Sequence, residues 1–250
     1  MTSLSGRTVV ITGGNRGIGL GLAEGVARAG AAVVILARDE VASAAAVQRL
    51  GVHGVAVHSF ACDVSDETQV ALAFAQAIER AGPIHAVFAN AGISSVAAPF
   101  HEQSTEEWHR VMAVNVDGVV ATMRAAVAHM LEHGEGGALV AVSSIAARHG
   151  MRNFAPYSAS KAAVVALMQT IAIEYARAGI RSNVLLPGWV DTDLTSQASE
   201  KLRGRIVART PLGRFGRSED FAAVAAFLAD PTQIFHTGES IVLDGGYLKT

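Results

Sequence analysis

Short unbroken apolar runs alternate along this chain with longer stretches whose apolar positions recur every three or four residues, the signature of strands followed by amphipathic helices. "TVVIT" (8–12) is followed by "GIGLGLAEGVARAG", and "AAVVILA" (31–37) by an alanine-rich helical stretch. "GVAVHSF" (54–60) precedes "SDETQVALAFAQAIERAG", where Ser65 or Asp66 is the expected N-cap. "HAVFAN" (85–90) leads through a loop to a long helix predicted over 105–133, and "ALVAVSS" (138–144) to another over 154–178. "RSNVLLPG" (181–188) and "SIVLDGG" (240–246) read as late strands.

The early strands are apolar throughout rather than alternating, as in a parallel sheet covered on both faces. Repeated strand–helix units then predict an α/β fold: one domain over residues 1–250, with a doubly wound parallel β-sheet and helices on both sides. No linker, repeat or low-complexity tract divides it. The more polar region 193–219 is expected to cover a site.

Composition narrows the class. Half of the residues are hydrophobic and 17% are charged, which excludes a disordered chain. The net charge of −2, with no basic block, argues against nucleic acid. The single cysteine, Cys62, rules out an internal disulfide and suits a reducing compartment. No basic leader and no apolar run near the roughly 18 residues of a membrane span is apparent, so a cytoplasmic protein without membrane contact is expected.

Two stretches carry chemistry. "TGGNRGIG" (12–19) sits where the first strand meets the first helix. Gly13, Gly17 and Gly19 allow a tight turn and close approach of backbone to a phosphate, which would face the free N–H groups of the helix N-terminus. The spacing G-x-x-x-G-x-G differs from the usual dinucleotide G-x-G-x-x-G. In "YSASK" (157–161), Tyr157 and Lys161 share a helix face. Bringing a tyrosine pKa from about 10 to about 7 needs roughly 4 kcal/mol. One ammonium at about 4 Å supplies roughly that much at an effective dielectric of 20.

With "NAG" (90–92), Ser144 and "PGWVDT" (187–192), these motifs resemble the short-chain dehydrogenase/reductase family over residues 7–247. The resemblance implies a Rossmann-type fold and interconversion of a ketone with a secondary alcohol by a nicotinamide cofactor. It implies Asn115, Ser144, Tyr157 and Lys161 as the catalytic set: Tyr157 exchanges the proton, Ser144 orients the oxygen, Lys161 supports the phenolate and binds the nicotinamide ribose, and Asn115 holds a water leading from Lys161 to solvent. Cofactor contacts are implied for Gly13, Asn15, Arg16, Gly17, Ile18, Gly19, Asp63, Val64, Asn90, Ala91, Gly92, Pro187, Gly188, Val190 and Thr192, besides Tyr157 and Lys161. The family's ribose-binding acid falls on Ala37, followed by Arg38, which favours NADP(H) over NAD(H); Asp39 lies two positions late for that role.

Ser94, Ile145, His149, Met151 and Trp189 are the expected substrate residues, with Arg152 and His149 available to a polar or anionic group. A free small-molecule substrate is expected first and a 3-oxoacyl group on acyl carrier protein second, because "AHMLEHGEGG" (128–137) is acidic rather than basic. The resemblance also implies a homotetramer, or else a dimer. Three rivals have weaker support. Ser158 in S-x-x-K lacks the partner motifs of a serine acyl-enzyme. His129 and His133 lack a third metal ligand and read as a solvated helix end. A nucleotide sensor on this fold has no need of an intact tyrosine and lysine.

Overall fold

A computed structural model describes residues 3–196 and 198–250. Seven strands form one sheet: β1 (Thr8–Thr12), β2 (Ala32–Ala37), β3 (Val57–Ala61), β4 (Ala86–Ala89), β5 (Gly137–Val142), β6 (Ile180–Pro187) and β7 (Ser240–Leu243). All neighbours pair parallel, in the order β3-β2-β1-β4-β5-β6-β7. The chain winds outward from β1 to β3, then returns to lay β4 on the other side of β1. That reversal opens a crevice at the carboxyl ends of β1 and β4, where ligands bind in such sheets.

The apolar strands feed two cores at once. Val9 and Ile11 of β1 pack on one face with α1 (Gly17–Arg28), α2 (Glu40–Gly51) and α9 (Ala222–Ala229). Val10 packs on the other with α3 (Glu67–Ala81), α5 (Gly118–His133) and α7 (Ala155–Tyr175). Phe88 and Val87 of β4 divide in the same way. Alternate residues point to opposite faces and both faces are covered, so no polar alternation survives. Strand β3 lies at the sheet edge, and its "VHSFA" is mostly half-buried.

Two expectations change and a third narrows to one of its two candidates. The helix predicted over 105–133 is α4 (Thr105–Met112) and α5 joined by a π turn, Ala113–Asp117, with Asn115 at its centre. The strand expected over 240–246 stops at Leu243, because the Asp244 carboxylate accepts the N–H groups of Gly246 and Leu248 and turns the chain. The N-cap of α3 is Asp66, which accepts from the N–H groups of Thr68 and Gln69.

The continuous helical run Thr105–His133 also amends the membrane expectation. Its most apolar 18-residue window has a mean hydropathy of 1.4, enough to cross a membrane by length and composition, but half of that window is buried inside the protein. It reads as a core helix against the sheet. His129 and His133 are not a solvated end either. His129 Nε2 accepts the Ile84 N–H at 3.0 Å, and His133 Nδ1 accepts the Glu135 N–H at 3.1 Å. No group among the described residues is arranged to hold a metal ion.

Candidate active site

A cleft of about 940 Å³ runs along the carboxyl ends of the strands. Its first wall is the glycine turn. Thr12 ends β1, and its Oγ accepts the N–H groups of both Asn90 and Ala91 at 3.0 Å. The Asn90 amide donates back to the carbonyls of Thr12 and Gly13, so "NAG" is stitched to the turn across the switch point. Gly13 and Gly17 have φ of 63° and 51°, in the left-handed region that glycine enters without cost. A Cβ at Gly17 would stand 3.2 Å from Thr192 Cγ2, so the turn lies almost against the loop after β6. Gly19 faces away from the cleft: a Cβ there would overlap the Gly13 carbonyl and the Asn90 amide. No side chain caps α1, leaving its first N–H groups and dipole open to an anion.

Asn15, Arg16, Gly17, Ile18, Arg38, Asp63, Val64, Asn90, Ala91 and Gly92 line this half with Gly13. The buried Asn15 amide donates to the Asp39 carbonyl and to Ser43 Oγ, holding the turn after β2. Asp39 itself is the N-cap of α2, where its Oδ1 accepts the Ala42 N–H. Asp63 accepts from both the N–H and the hydroxyl of Ser65. The Ser65 hydroxyl is the main influence holding this carboxyl below its usual range, assisted by Arg38 at 3.4 Å. Burial pushes the neighbouring Cys62 thiol up to about 11, making it inert near neutral pH.

The second wall holds Ser144, beyond β5, and Tyr157 and Lys161, in the first two turns of α7. Lys161 Nζ donates to the Val142 carbonyl at 3.0 Å and lies 5.8 Å from the Tyr157 ring centroid. Burial pushes the Tyr157 phenol up, opposed by a hydrogen bond with the Ser144 side chain. Burial also pulls Lys161 down to about 8. In the chain by itself both shifts favour the uncharged forms. The Coulombic stabilisation that an ammonium supplies is before any desolvation cost, and here that cost opposes the phenolate.

Asn115 lies behind the cleft, fully buried. Its Oδ1 accepts the Ile93 N–H at 2.8 Å, and its Nδ2 donates to the Ile93 carbonyl and to Ser160 Oγ. The amide expected to hold a water is thus bound by protein at both ends, with one Oδ1 lone pair left. Pro187, Gly188, Val190 and Thr192 line the cleft beside Asp191 and Asp193, and Asp193 meets Arg16 across its mouth at 3.3 Å. Region 193–219 contains α8 (Glu200–Arg209) and returns to the loop after β6 through an isolated bridge of Gly216 to Val190.

None of the five expected substrate residues lines this cleft. Ile145 is only 4% exposed and packs with Ile206, Phe215 and Tyr247, which makes it core rather than pocket. Trp189 sets its ring edge-on to Phe215. His149 is exposed at the end of α6 (Ala146–His149), 6.3 Å from the Tyr247 ring. Met151 is half-buried in the turn before α7, and the Ser94 carbonyl accepts from Arg110. Sequence reasoning missed Leu36, Ile93, Ser143 and Asp191, which do line the cleft. Asp191 lies inside "PGWVDT", and Ile93 and Ser143 are each adjacent to a motif residue; Leu36 carried no sequence signal.

A Rossmann-type sheet with an uncapped helix at the switch point, and a serine, tyrosine and lysine opposite it, defines a nicotinamide-dependent oxidoreductase. Comparison with known proteins agrees. The family model described as enoyl-(acyl carrier protein) reductase matches residues 13–248. The chain is 38% identical to cis-4-hydroxycyclohexanecarboxylate dehydrogenase of Sinomonas cyclohexanicum, over 96% of each chain. It is 36% identical to gluconate 5-dehydrogenase of Gluconobacter oxydans, over 98% of this chain and 95% of that one. The crystal structure of a gluconate 5-dehydrogenase from Burkholderia cenocepacia in complex with NADP and tartrate superposes with a TM-score of 0.93 at 35% identity, covering 100% of this chain and 98% of that one. The chain belongs to the short-chain dehydrogenase/reductase family, and it is an NAD(P)-dependent oxidoreductase acting on CH–OH groups.

Proposed function

We propose that this enzyme interconverts a secondary alcohol and a ketone on a free small molecule, with Tyr157 exchanging the proton at the substrate oxygen. The observation that carries this reading is the convergence of Ser144, Tyr157 and Lys161 on one wall of a cleft whose other wall is the glycine turn. The residues present fit a dinucleotide: the turn leaves a cradle that side chains would fill, and the uncapped start of α1 suits a pyrophosphate. Gly13, Asn15, Arg16, Gly17 and Ile18 would hold it, with Asp63, Val64 and Asn90 to Gly92 around the adenosine end and Pro187, Gly188, Val190 and Thr192 around the nicotinamide end; Gly19 backs the turn.

When bound, the cofactor supplies or accepts the hydride. Tyr157 then donates its phenolic proton to the developing alkoxide, or as phenolate takes the alcohol proton in the reverse direction. Ser144 hydrogen-bonds the same oxygen and restrains its charge. Lys161 and the positive charge of an oxidised nicotinamide together offset the desolvation that raises Tyr157.

NADP(H) is the favoured cofactor, with NAD(H) possible. Ala37 ends β2 without a carboxylate, Asp39 caps α2, and Arg38 and Arg16 are exposed at the cleft. Arg38→Ala should weaken NADPH binding about tenfold, equivalent to about 1.4 kcal/mol, and leave NADH nearly unchanged. Equal losses would remove the preference.

Both named relatives are, by their names, dehydrogenases of hydroxy carboxylates. Arg152, exposed on the turn before α7, suits a carboxylate. The family description names an acyl carrier protein, but with an enoyl rather than a 3-oxoacyl group, and acidic Glu132 and Glu135 beside the end of α5 oppose a 3-oxoacyl carrier substrate. Region 193–219 serves as a cover over the cofactor. A homotetramer is the expected assembly and a dimer the alternative; the half-buried edge strand β7 and the exposed Ile173 on α7 support pairing. The free thiol of Cys62 supports the cytoplasm.

The test follows nicotinamide absorbance with NADPH and NADH over ketones, hydroxy acids, polyols, steroids and 3-oxoacyl thioesters, with Tyr157→Phe as control. Turnover that the control abolishes supports the reading. NADPH binding with no turnover of any compound moves the reading to a sensor, and light scattering of a monomer removes the assembly.

A further inference from the structure

Ser160 lies between the tyrosine and the lysine on α7, fully buried, and the reaction as described gives it no part. Its hydroxyl donates to the Tyr157 carbonyl at 2.7 Å and accepts from Asn115 Nδ2 at 3.1 Å. A hydroxyl has one proton. With that proton committed to Tyr157, the oxygen presents only lone pairs to Asn115 and requires an N–H there. The other Nδ2 proton goes to the Ile93 carbonyl, and Oδ1 accepts the Ile93 N–H. Every donor of the amide is therefore used, and its carbonyl end is held beside Gly92. A Cβ on Gly92 would lie 3.2 Å from both Asn115 Oδ1 and Lys161 Nζ. The negative end of the Asn115 dipole and the ammonium thus border the same space that glycine leaves empty.

We infer that Ser160 is a positioning residue, which clamps the π turn of the long helix to the first turn of the tyrosine helix and holds the Asn115 oxygen toward Lys161. This rests on the assignment of Tyr157 and Lys161 as the proton-transfer pair. The π turn gives the clamp its purpose: the wide turn carries Asn115 at its centre, and Ser160 ties it to the turn that bears the tyrosine. Without the hydroxyl, one Nδ2 proton has no acceptor in a fully buried place, and the amide must shift or admit water. Either change weakens the field on the ammonium and, through it, on the phenolate. The ionisable groups around these bonds are Tyr157 and Lys161 on α7, Asp117 at the exposed end of the π turn, and the Glu107–Arg110 pair on α4.

The test compares Ser160→Ala, Ser160→Thr and wild type in oxidation of cyclohexanol, or of the panel alcohol that turns over fastest, with NADP+. In this direction the phenolate is the base, so activity falls on the acid side. Ser160→Ala should lower kcat about tenfold and move that limb up by about half a pH unit or more. NADP+ affinity by fluorescence titration should stay within about twofold. Without any turnover, the ultraviolet phenolate signal that Tyr157→Phe removes should also titrate higher in Ser160→Ala. Ser160→Thr should restore both. Ser182→Ala is the structural control: it removes another fully buried hydroxyl bonded to α7, at Met168, and should leave the limb in place. Ser160→Ala with wild-type kcat and limb, or with a loss of kcat and an unmoved limb, would overturn the inference. Retained activity in Tyr157→Phe would instead overturn the site assignment beneath it.

Discussion

Both ends of the parallel sheet hold partly or wholly buried ionisable side chains, and they satisfy them in opposite ways. At the amino ends, His85 Nδ1 accepts the Thr8 N–H, His129 Nε2 accepts the Ile84 N–H, and His133 Nδ1 accepts the Glu135 N–H. Each imidazole completes the bonding of a chain segment that a strand or helix end leaves unpaired. At the carboxyl ends, the Lys161 ammonium has one acceptor among the described residues, the Val142 carbonyl, and Tyr157 faces the cleft, its phenol partnered only by the Ser144 side chain. A buried ionisable group whose bonds are filled by backbone serves structure. One whose bonds are left open stores a cost that a ligand can relieve, and that cost locates the chemistry.

The sharpest way to break this comparison is to exchange the two outcomes. Lys161→Met should lower kcat/KM about a thousandfold, within the range for loss of a tuned proton-transfer group. It should leave the melting temperature unchanged or higher, because an ammonium with one buried partner gives way to an apolar chain of similar length. His129→Leu should do the reverse. It leaves the Ile84 N–H without its acceptor, costing about 1–3 kcal/mol. At about 2–4 °C per kcal/mol in a chain of this size, calorimetry should show a fall of several degrees, with kcat within about twofold. If Lys161→Met melts well below wild type, or His129→Leu loses activity without losing stability, the two ends do not divide as argued.

Acid sharpens the same contrast with a smaller effect. Burial lowers the pKa of both His85 and His129 from the ordinary 6.5; like charges from Arg7 and His133 add to this at His85, and from His133 at His129. The unfolded chain then binds protons that the folded chain refuses. Stability from these groups is present in full above about 6.5 and is lost as the pH falls through and below that value toward the folded pKa. His129→Gln, whose amide oxygen can still accept the Ile84 N–H, should flatten part of that acid slope in urea titrations. An unchanged slope would remove His129 from the account.

The division between the ends also explains what the sequence could disclose. Strand–helix alternation and unbroken apolar strands gave the sheet, because burial on both faces dictates residue type directly. Gly13, Gly17 and the tyrosine–lysine pair were legible because a turn and a helix face impose fixed spacings. The π turn was not: "AVNVDG" contains no residue that forces it, and its hydrogen bonds to Ile93 and Ser160 span 22 and 45 positions. His129 failed for the same reason, since its partner Ile84 lies on another element, 45 positions away. Ile145 failed because an apolar residue next to Ser144 has the same appearance whether it lines a pocket or packs beneath one. Nor could spacing show that burial would raise Tyr157 against the hydrogen bond from Ser144.

The smallest expected effect lies at the mouth of the cleft. Arg16 and Asp193 meet there at 3.3 Å, with side chains 61% and 78% exposed, one from the glycine turn and the other from the loop after β6. An exposed pair contributes little to stability, so Asp193→Ala should leave the melting temperature unchanged. Its influence is on what Arg16 is free to do. While the carboxylate is present it competes with any anionic ligand for that guanidinium. Removing it should tighten NADPH binding by about two- to fivefold, an effect that shrinks as salt rises, and leave NADH binding nearly as it was. Weaker binding of both cofactors would show instead that the pair closes the cleft over them. In that case the open carboxyl end of the sheet would use a saturated ion pair as structure, as the histidines do at the other end.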